Sequence, residues 1–190
     1  MIRPETCKAL KSSLATLRRK EYRDFTKFRA YYFKHYHQTQ DAGFHGELAA
    51  MLENMSRQRG MKLALAAPRS SAKSTIISLE YVIYSICCEL ENFICIFSNT
   101  ADQASNLLGH IKRELESNER LREDYPEVCE LYVKPGPPRW SQREIITKNN
   151  IKVLAAGFGQ SIRGSRHQEH RPTLLILDDI ETNDMTVTED

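Results

Sequence analysis

The sequence predicts an α/β fold with a mainly parallel central sheet flanked by helices and preceded by a helical lead-in. Two successive apolar runs are each followed by a loop and an amphipathic helix, the order that builds a parallel sheet covered on both faces. A third run, Leu174 to Leu177, is continuously apolar and ends in Asp178-Asp179, as a buried central strand with chemistry at its carboxyl end would. With 41% hydrophobic and 27% charged residues over 190 positions, the chain has enough apolar material for one soluble domain with a real core.

Residues 1–60 read as the lead-in. From Pro4 to about His37 there is no internal Gly or Pro, and Leu10, Leu14, Leu17, Phe25, Phe28 and Tyr32 recur at helical spacing, predicting one or two helices. Gly43 and Gly46 interrupt the pattern before a further amphipathic helix from Glu47 to Gln58, closed by Gly60. Residues 61–190 form the core region. Met61 to Ala67 is expected to be its first strand, Pro68 to Ala72 a polar loop, and Lys73 to about Glu89 a helix. Phe93 to Ser98 is the second strand, Asn99 to Asp102 a turn, and Gln103 to Ser117 a charged amphipathic helix. The pattern then loosens, and the prolines between Lys134 and Trp140 predict a surface loop, because proline supplies no ladder donor. Glu144 to Lys148 and Ile151 to Ala156 form a predicted hairpin around Asn149-Asn150, followed by a polar loop from Gly157 to Arg171.

Composition narrows the function classes. No apolar run approaches the roughly 18 to 20 residues that span a bilayer, and the first residues lack a signal peptide's apolar stretch, so a cytoplasmic protein without a membrane partner is expected. Cys7, Cys87, Cys88, Cys95 and Cys129 show no CxxC pairing and read as core thiols in a reducing compartment. His167 and His170 do not match a metalloprotease pattern. Residues 1–40 carry ten Lys or Arg against Glu5, Glu21 and Asp24, a local +7 within an overall +2. Such a basic arm meets nucleic-acid phosphates in some proteins and is a solvated helix face in more of them.

The chemistry concentrates in two places. Ala67-Pro68-Arg69-Ser70-Ser71-Ala72-Lys73-Ser74 fits the phosphate-loop pattern G-x-x-x-x-G-K-[ST], with alanine at both glycine positions. In that pattern backbone N–H groups cradle phosphates, the lysine reaches their terminal oxygens and the hydroxyl holds magnesium. The preceding apolar run and the helix starting at the lysine supply the right context, since the helix N-terminus faces an anion. Leu174 to Asp179 has the form of a Walker B strand, in which one carboxylate serves magnesium and the next activates water. Together, in this order, the two motifs predict a nucleotide hydrolase.

The run Ala67 to Thr75, with an arginine four residues before the lysine, resembles the phosphate loop of bacteriophage terminase large subunits, the ATPases of DNA-packaging motors. Ser98-Asn99-Thr100, Trp140, the strands flanking Asn149-Asn150, and Ile162-Arg163-Gly164 leading through Arg171-Pro172 into the acidic strand resemble that family in the same order, over about residues 44–184. The resemblance implies a P-loop NTPase fold of the ASCE type, ATP with Mg2+, and double-stranded DNA as the translocated polymer. It also implies a homo-oligomeric ring, a portal protein and a terminase small subunit as partners. By resemblance, Ala67, Pro68, Arg69, Ser70, Ser71, Ala72, Lys73, Ser74 and Thr75 bind nucleotide, with Lys73 on the β and γ phosphates. Ser74 and Asp178 hold the metal, and Thr75 is the alternative hydroxyl. Arg69 steadies the transferring phosphoryl group, and Arg163 senses nucleotide or touches DNA. The family places a glutamate after the metal aspartate as catalytic base; here that position is Asp179, with Glu181 as a longer-reaching candidate. Phe44, His45 and Tyr36 are candidates to stack on the base or to pack in the core. The core is expected to be incomplete at its C-terminal end and to lack the family's nuclease domain. Two alternatives stand beside this reading: another nucleic-acid-stimulated P-loop ATPase such as a helicase core, and a non-catalytic remnant that binds DNA or partner subunits.

Overall fold

In a computed structural model, which describes residues 4–37, 42–68, 70–129, 140–160, 162 and 164–180, four strands form one mixed sheet in the order β2-β3-β1-β4. β1 (Phe93–Ser98) pairs in parallel with both β3 (Lys152–Gly157) and β4 (Leu174–Asp178), and β2 (Glu144–Ile146) pairs antiparallel with β3. β1 is central and buried throughout, as its Phe-Ile-Cys-Ile-Phe run dictates for a strand covered on two faces. The α/β class and the mostly parallel sheet flanked by helices thus follow the pattern of the sequence. So does the β2/β3 hairpin, whose turn carries Asn150 in the left-handed region at φ 66°.

The lead-in consists of α1 (Pro4–Glu21), α2 (Phe25–Tyr32) and α3 (Gly43–Ser56). Asp24 caps α2 by accepting from the Lys27 N–H at 3.1 Å. The lead-in does not fold apart from the sheet. Phe25, Phe28, Tyr32, Leu48 and Leu52 share one buried cluster with Ile83, Ile94 and Ile96. Leu10, Leu14 and Leu17 behave differently: all three sit on the exposed face of α1. That helix is tied down by Arg18 and Arg19, which reach Asp124 and Glu127.

After the phosphate-loop motif the chain runs as helix from 73 to 87, with a π-helical turn over Thr75–Glu80 and α4 at Tyr81–Cys87. Insertions of this kind cluster at functional sites. The turn ends at Glu80, a fully buried carboxylate that accepts from the buried Arg29 Nε of α2 and lies 2.9 Å from His37 Nε2. A buried pair of this sort adds little net stability, because desolvation offsets most of the attraction. α5 (Ala101–Ser117) starts two residues earlier than its apolar pattern suggests, because Thr100 and Gln103 form a reciprocal capping box. Two short helices, α6 (Glu119–Asp124) and α7 (Pro126–Cys129), occupy the start of the stretch where no regular pattern was expected.

Two expectations are overturned. Met61–Ala67 is not a strand: it has no regular structure and no strand partner among the described residues, with Met61 and Leu63 exposed and Leu65 packed against the core. Its residues explain this, since Met, Lys, Leu and Ala include no β-branched or aromatic side chain to favour a pleated surface. β4 is not central either. Among the described residues it lies at the sheet edge, buries Leu174 and Ile176 on one face and leaves Leu175 and Leu177 more than half exposed on the other. Among the described residues that second face holds a small cluster, Phe93, Cys95, Phe97 and Ala156, with Leu154, Ile162 and Ile180 packed against it. Among the described residues, no helix is long and apolar enough to cross a membrane.

Candidate functional site

The carboxyl ends of the three parallel strands lie in one register row: Ser98 of β1 stands beside Gly157 of β3 and Asp178 of β4. In open α/β sheets this end is where ligands bind. Gly157 is required there by space. A Cβ on it would sit 2.7 Å from the Ala101 backbone nitrogen, so α5 can start this close to β3 only because residue 157 has no side chain.

The phosphate-loop motif arrives at the same end. Ser70 and Ala72 have left-handed backbones, φ 63° and 58°, while Ser71 between them does not. Positive φ at alternate residues is a backbone pattern from which anion-binding nests are built. The two missing glycines are therefore unequal. Ala72 stands where glycine's freedom is needed and accepts the strain of an L-residue, whereas Ala67 has no positive φ. The helix then opens at Lys73, directly after these residues, and a helix N-terminus favours an anion.

Ser74 Oγ donates to Asp178 Oδ1 at 3.0 Å, and Ser78 Oγ donates to Asp178 Oδ2 at 2.9 Å. Asp178 is thus held by both oxygens from successive turns of one helix, with the Ser78 side chain buried behind it. Lys73 Nζ lies 3.2 Å from Asp179 Oδ1, and the Asp179 side chain is 75% exposed. An ion pair so exposed is worth little, so phosphate oxygens would draw the lysine away from it at small cost. Asp179 itself is left-handed at φ 47°, a strained backbone at the residue expected to orient water.

Ser74, rather than Thr75, is the hydroxyl that meets the acidic strand. Arg69, Arg163 and Glu181 lie outside the described residues, so their predicted roles have no geometry here. Of the three aromatic candidates, Tyr36 is turned toward α5, donating to Glu114 Oε1 at 2.9 Å. His45 faces the loop, with Nε2 at 3.0 Å from the Ser71 carbonyl oxygen, and Phe44 packs edge-on against it with ring centroids 4.2 Å apart. Ser78 was missed from the sequence. Its signal is there, four residues after Ser74 and so on the same helix face, but a serine in an apolar helix has many ordinary uses.

The groups gathered at this point are all oxygen: the Ser74 and Ser78 hydroxyls and the Asp178 carboxylate. They fit magnesium, a hard cation that takes one or two protein oxygens and fills the rest of its shell with water and phosphate. Among the described residues there is no group of three or more His, Cys, Asp or Glu that could hold a metal ion. His167 is occupied otherwise, with Nε2 2.8 Å from the Asn150 carbonyl oxygen. Burial pushes the Cys95 and Cys129 thiols up to about 12, which keeps them protonated and inert and agrees with core thiols.

Comparison with known proteins gave no match: no family model, curated protein or solved structure is similar to this chain.

Proposed function

We propose that this chain is a P-loop ATPase of the ASCE type and, within that class, the motor domain of a phage terminase large subunit that hydrolyses ATP to drive double-stranded DNA into a procapsid. The observation that carries the ATPase reading is the 3.0 Å hydrogen bond from Ser74 Oγ to Asp178 Oδ1. It joins two motifs separated by 104 residues, at the sheet end where ligands bind and beside a left-handed nest. An unrelated polar turn and acidic strand end would have no reason to meet there.

In this reading the backbone of residues 70–73 receives the phosphates and Lys73 leaves Asp179 for the β and γ oxygens. Ser74 and Asp178 hold the magnesium, which when bound neutralises charge on those oxygens. Asp179, released from Lys73, orients the attacking water. Arg69 as the phosphoryl-stabilising cation, Glu181 as an auxiliary base and Arg163 as a sensor rest on the family resemblance. So do the duplex DNA, the ring, the portal protein, the small subunit and the host cytoplasm as the place of action.

The test is magnesium-dependent ATP hydrolysis with and without double-stranded DNA, alongside nucleotide binding, for the unaltered chain, Lys73→Ala and Asp179→Asn. Lys73→Ala is expected to lose binding and turnover together; Asp179→Asn is expected to keep binding and lose turnover. If the unaltered chain neither binds nor hydrolyses ATP, the reading fails in favour of a remnant that only binds DNA or partners. Strand separation in place of duplex translocation would assign it to helicases.

A further inference from the structure

We infer that His45 is a positioning residue for the phosphate loop, holding its nest in the shape that receives phosphate; this rests on the nucleotide-binding reading above. Two of the ring's contacts are of opposite sense. The Ala42 backbone N–H donates to Nδ1 at 3.2 Å, which makes Nδ1 the acceptor and places the ring hydrogen on Nε2. Nε2 then donates to the Ser71 carbonyl oxygen at 3.0 Å. The first contact is half of a capping box at the start of α3, with histidine in place of the usual Glu or Gln at the third helical position. The second spans 26 residues and lands on the loop.

The place where it lands matters. Ser71 lies between Ser70 and Ala72, the two left-handed residues that shape the nest. Conformations like these persist only where the surroundings hold them. A glycine at position 72 would relax into that shape unaided, whereas the alanine needs a restraint, and the Ser71 carbonyl is the central handle of the strained stretch. The ring in turn is carried on a fixed element. His45 shares a helix face with Leu48, Ala49 and Leu52, at i+3, i+4 and i+7, and all three are buried in the main core. The core therefore sets the height of the imidazole, and the imidazole sets the position of the loop. A base-stacking role makes a different claim, because it would act on the nucleoside and leave the phosphate cradle alone.

His45→Phe keeps a ring of similar size and removes both polar atoms, while His45→Gln keeps a donor able to reach the Ser71 carbonyl. The probes are MgATP and magnesium tripolyphosphate, titrated by calorimetry, together with amide hydrogen exchange of residues 70–74 in the ligand-free protein and the thermal midpoint. His45→Phe is expected to raise Kd for both probes by the same factor, roughly threefold to tenfold for the lost hydrogen bond to the Ser71 carbonyl. It is also expected to speed exchange of the loop while β1 stays protected, and His45→Gln should recover most of both effects. Loss of ATP affinity with unchanged tripolyphosphate affinity would overturn the inference and make His45 a base contact. Unchanged loop exchange in His45→Phe would overturn it as well, and that readout stands even if the unaltered chain binds neither probe, a result that would sink the ATPase reading itself.

Discussion

Ser78→Ala isolates the hold on Asp178 without touching a phosphate-loop residue. The Ser78 side chain is buried, and its hydroxyl is the donor to Asp178 Oδ2, while Ser74 serves Oδ1. A hydrogen bond to a charged acceptor contributes about 1.5–3 kcal/mol. The upper end applies to a carboxylate sealed from water, and Asp178 is only partly buried, so solvent can replace part of what the hydroxyl gave. The expected loss in carboxylate positioning is therefore at the low end, about 1.5 kcal/mol, which on the proposed ATPase reading is roughly tenfold in affinity for the metal-bound nucleotide. That is the lower limit of what removal of an outer-shell partner does to a metal site.

The assay compares Kd for MgATP with Kd for ATP in excess chelator, with the thermal midpoint recorded in parallel. Ser78→Ala is expected to weaken MgATP binding about tenfold and leave metal-free ATP binding within about twofold, because Lys73 and the nest do not depend on Ser78. Equal weakening of both would mean that Ser78 supports the helix rather than the carboxylate. No weakening of either would mean that Asp178 needs no second donor, and the reasoning from the two-oxygen hold would be refuted.

Gly157→Ala brings a Cβ to 2.7 Å from the Ala101 nitrogen and 3.2 Å from the Thr100 carbonyl carbon, both backbone atoms that cannot swing aside. The expected destabilisation is about 2–3 kcal/mol, read as a lower urea midpoint; an unchanged midpoint would mean that α5 is not seated against β3. Alkaline pH destabilises the fold through its buried thiols: Cys95 and Cys129 rise from an ordinary value of 9.0 to about 12, so between those values the unfolded chain releases protons that the folded chain retains. Stability is then full below pH 9 and falls as pH rises, by at most about 1.4 kcal/mol per pH unit for each thiol. A urea midpoint that stays level from pH 8 to 11 would contradict this.

The elements legible in the sequence are those whose reasons are local. β1 announces itself through five consecutive apolar residues, α5 through Thr100 and Gln103 three positions apart, and the β2/β3 turn through Asn149-Asn150. What was not legible depends on which neighbour a segment finds. Leu174 to Leu177 reads identically whether the strand has one partner or two, and only the structure places it at an edge with Leu175 and Leu177 uncovered. Met61–Ala67 is the converse: its apolar character suggested a strand, yet without β-branched residues it does not pair among the described residues.

The site shows the same division. Counted as a pattern, Ala67 and Ala72 are two equal defects in one motif, but the backbone separates them, since a residue at 72 must turn left-handed and the residue at 67 has no positive φ. A defect that costs strain needs a compensating restraint nearby, and one restraint in contact with this loop is His45, 26 positions upstream of Ser71 and with nothing in its own local pattern to mark it. If that is the physical relation, the two positions are coupled: Ala72→Gly should relax the loop's need for the imidazole, so that His45→Phe costs less tripolyphosphate affinity on the glycine background than on the native one. Equal losses on both backgrounds would show that the histidine and the strained alanine act independently.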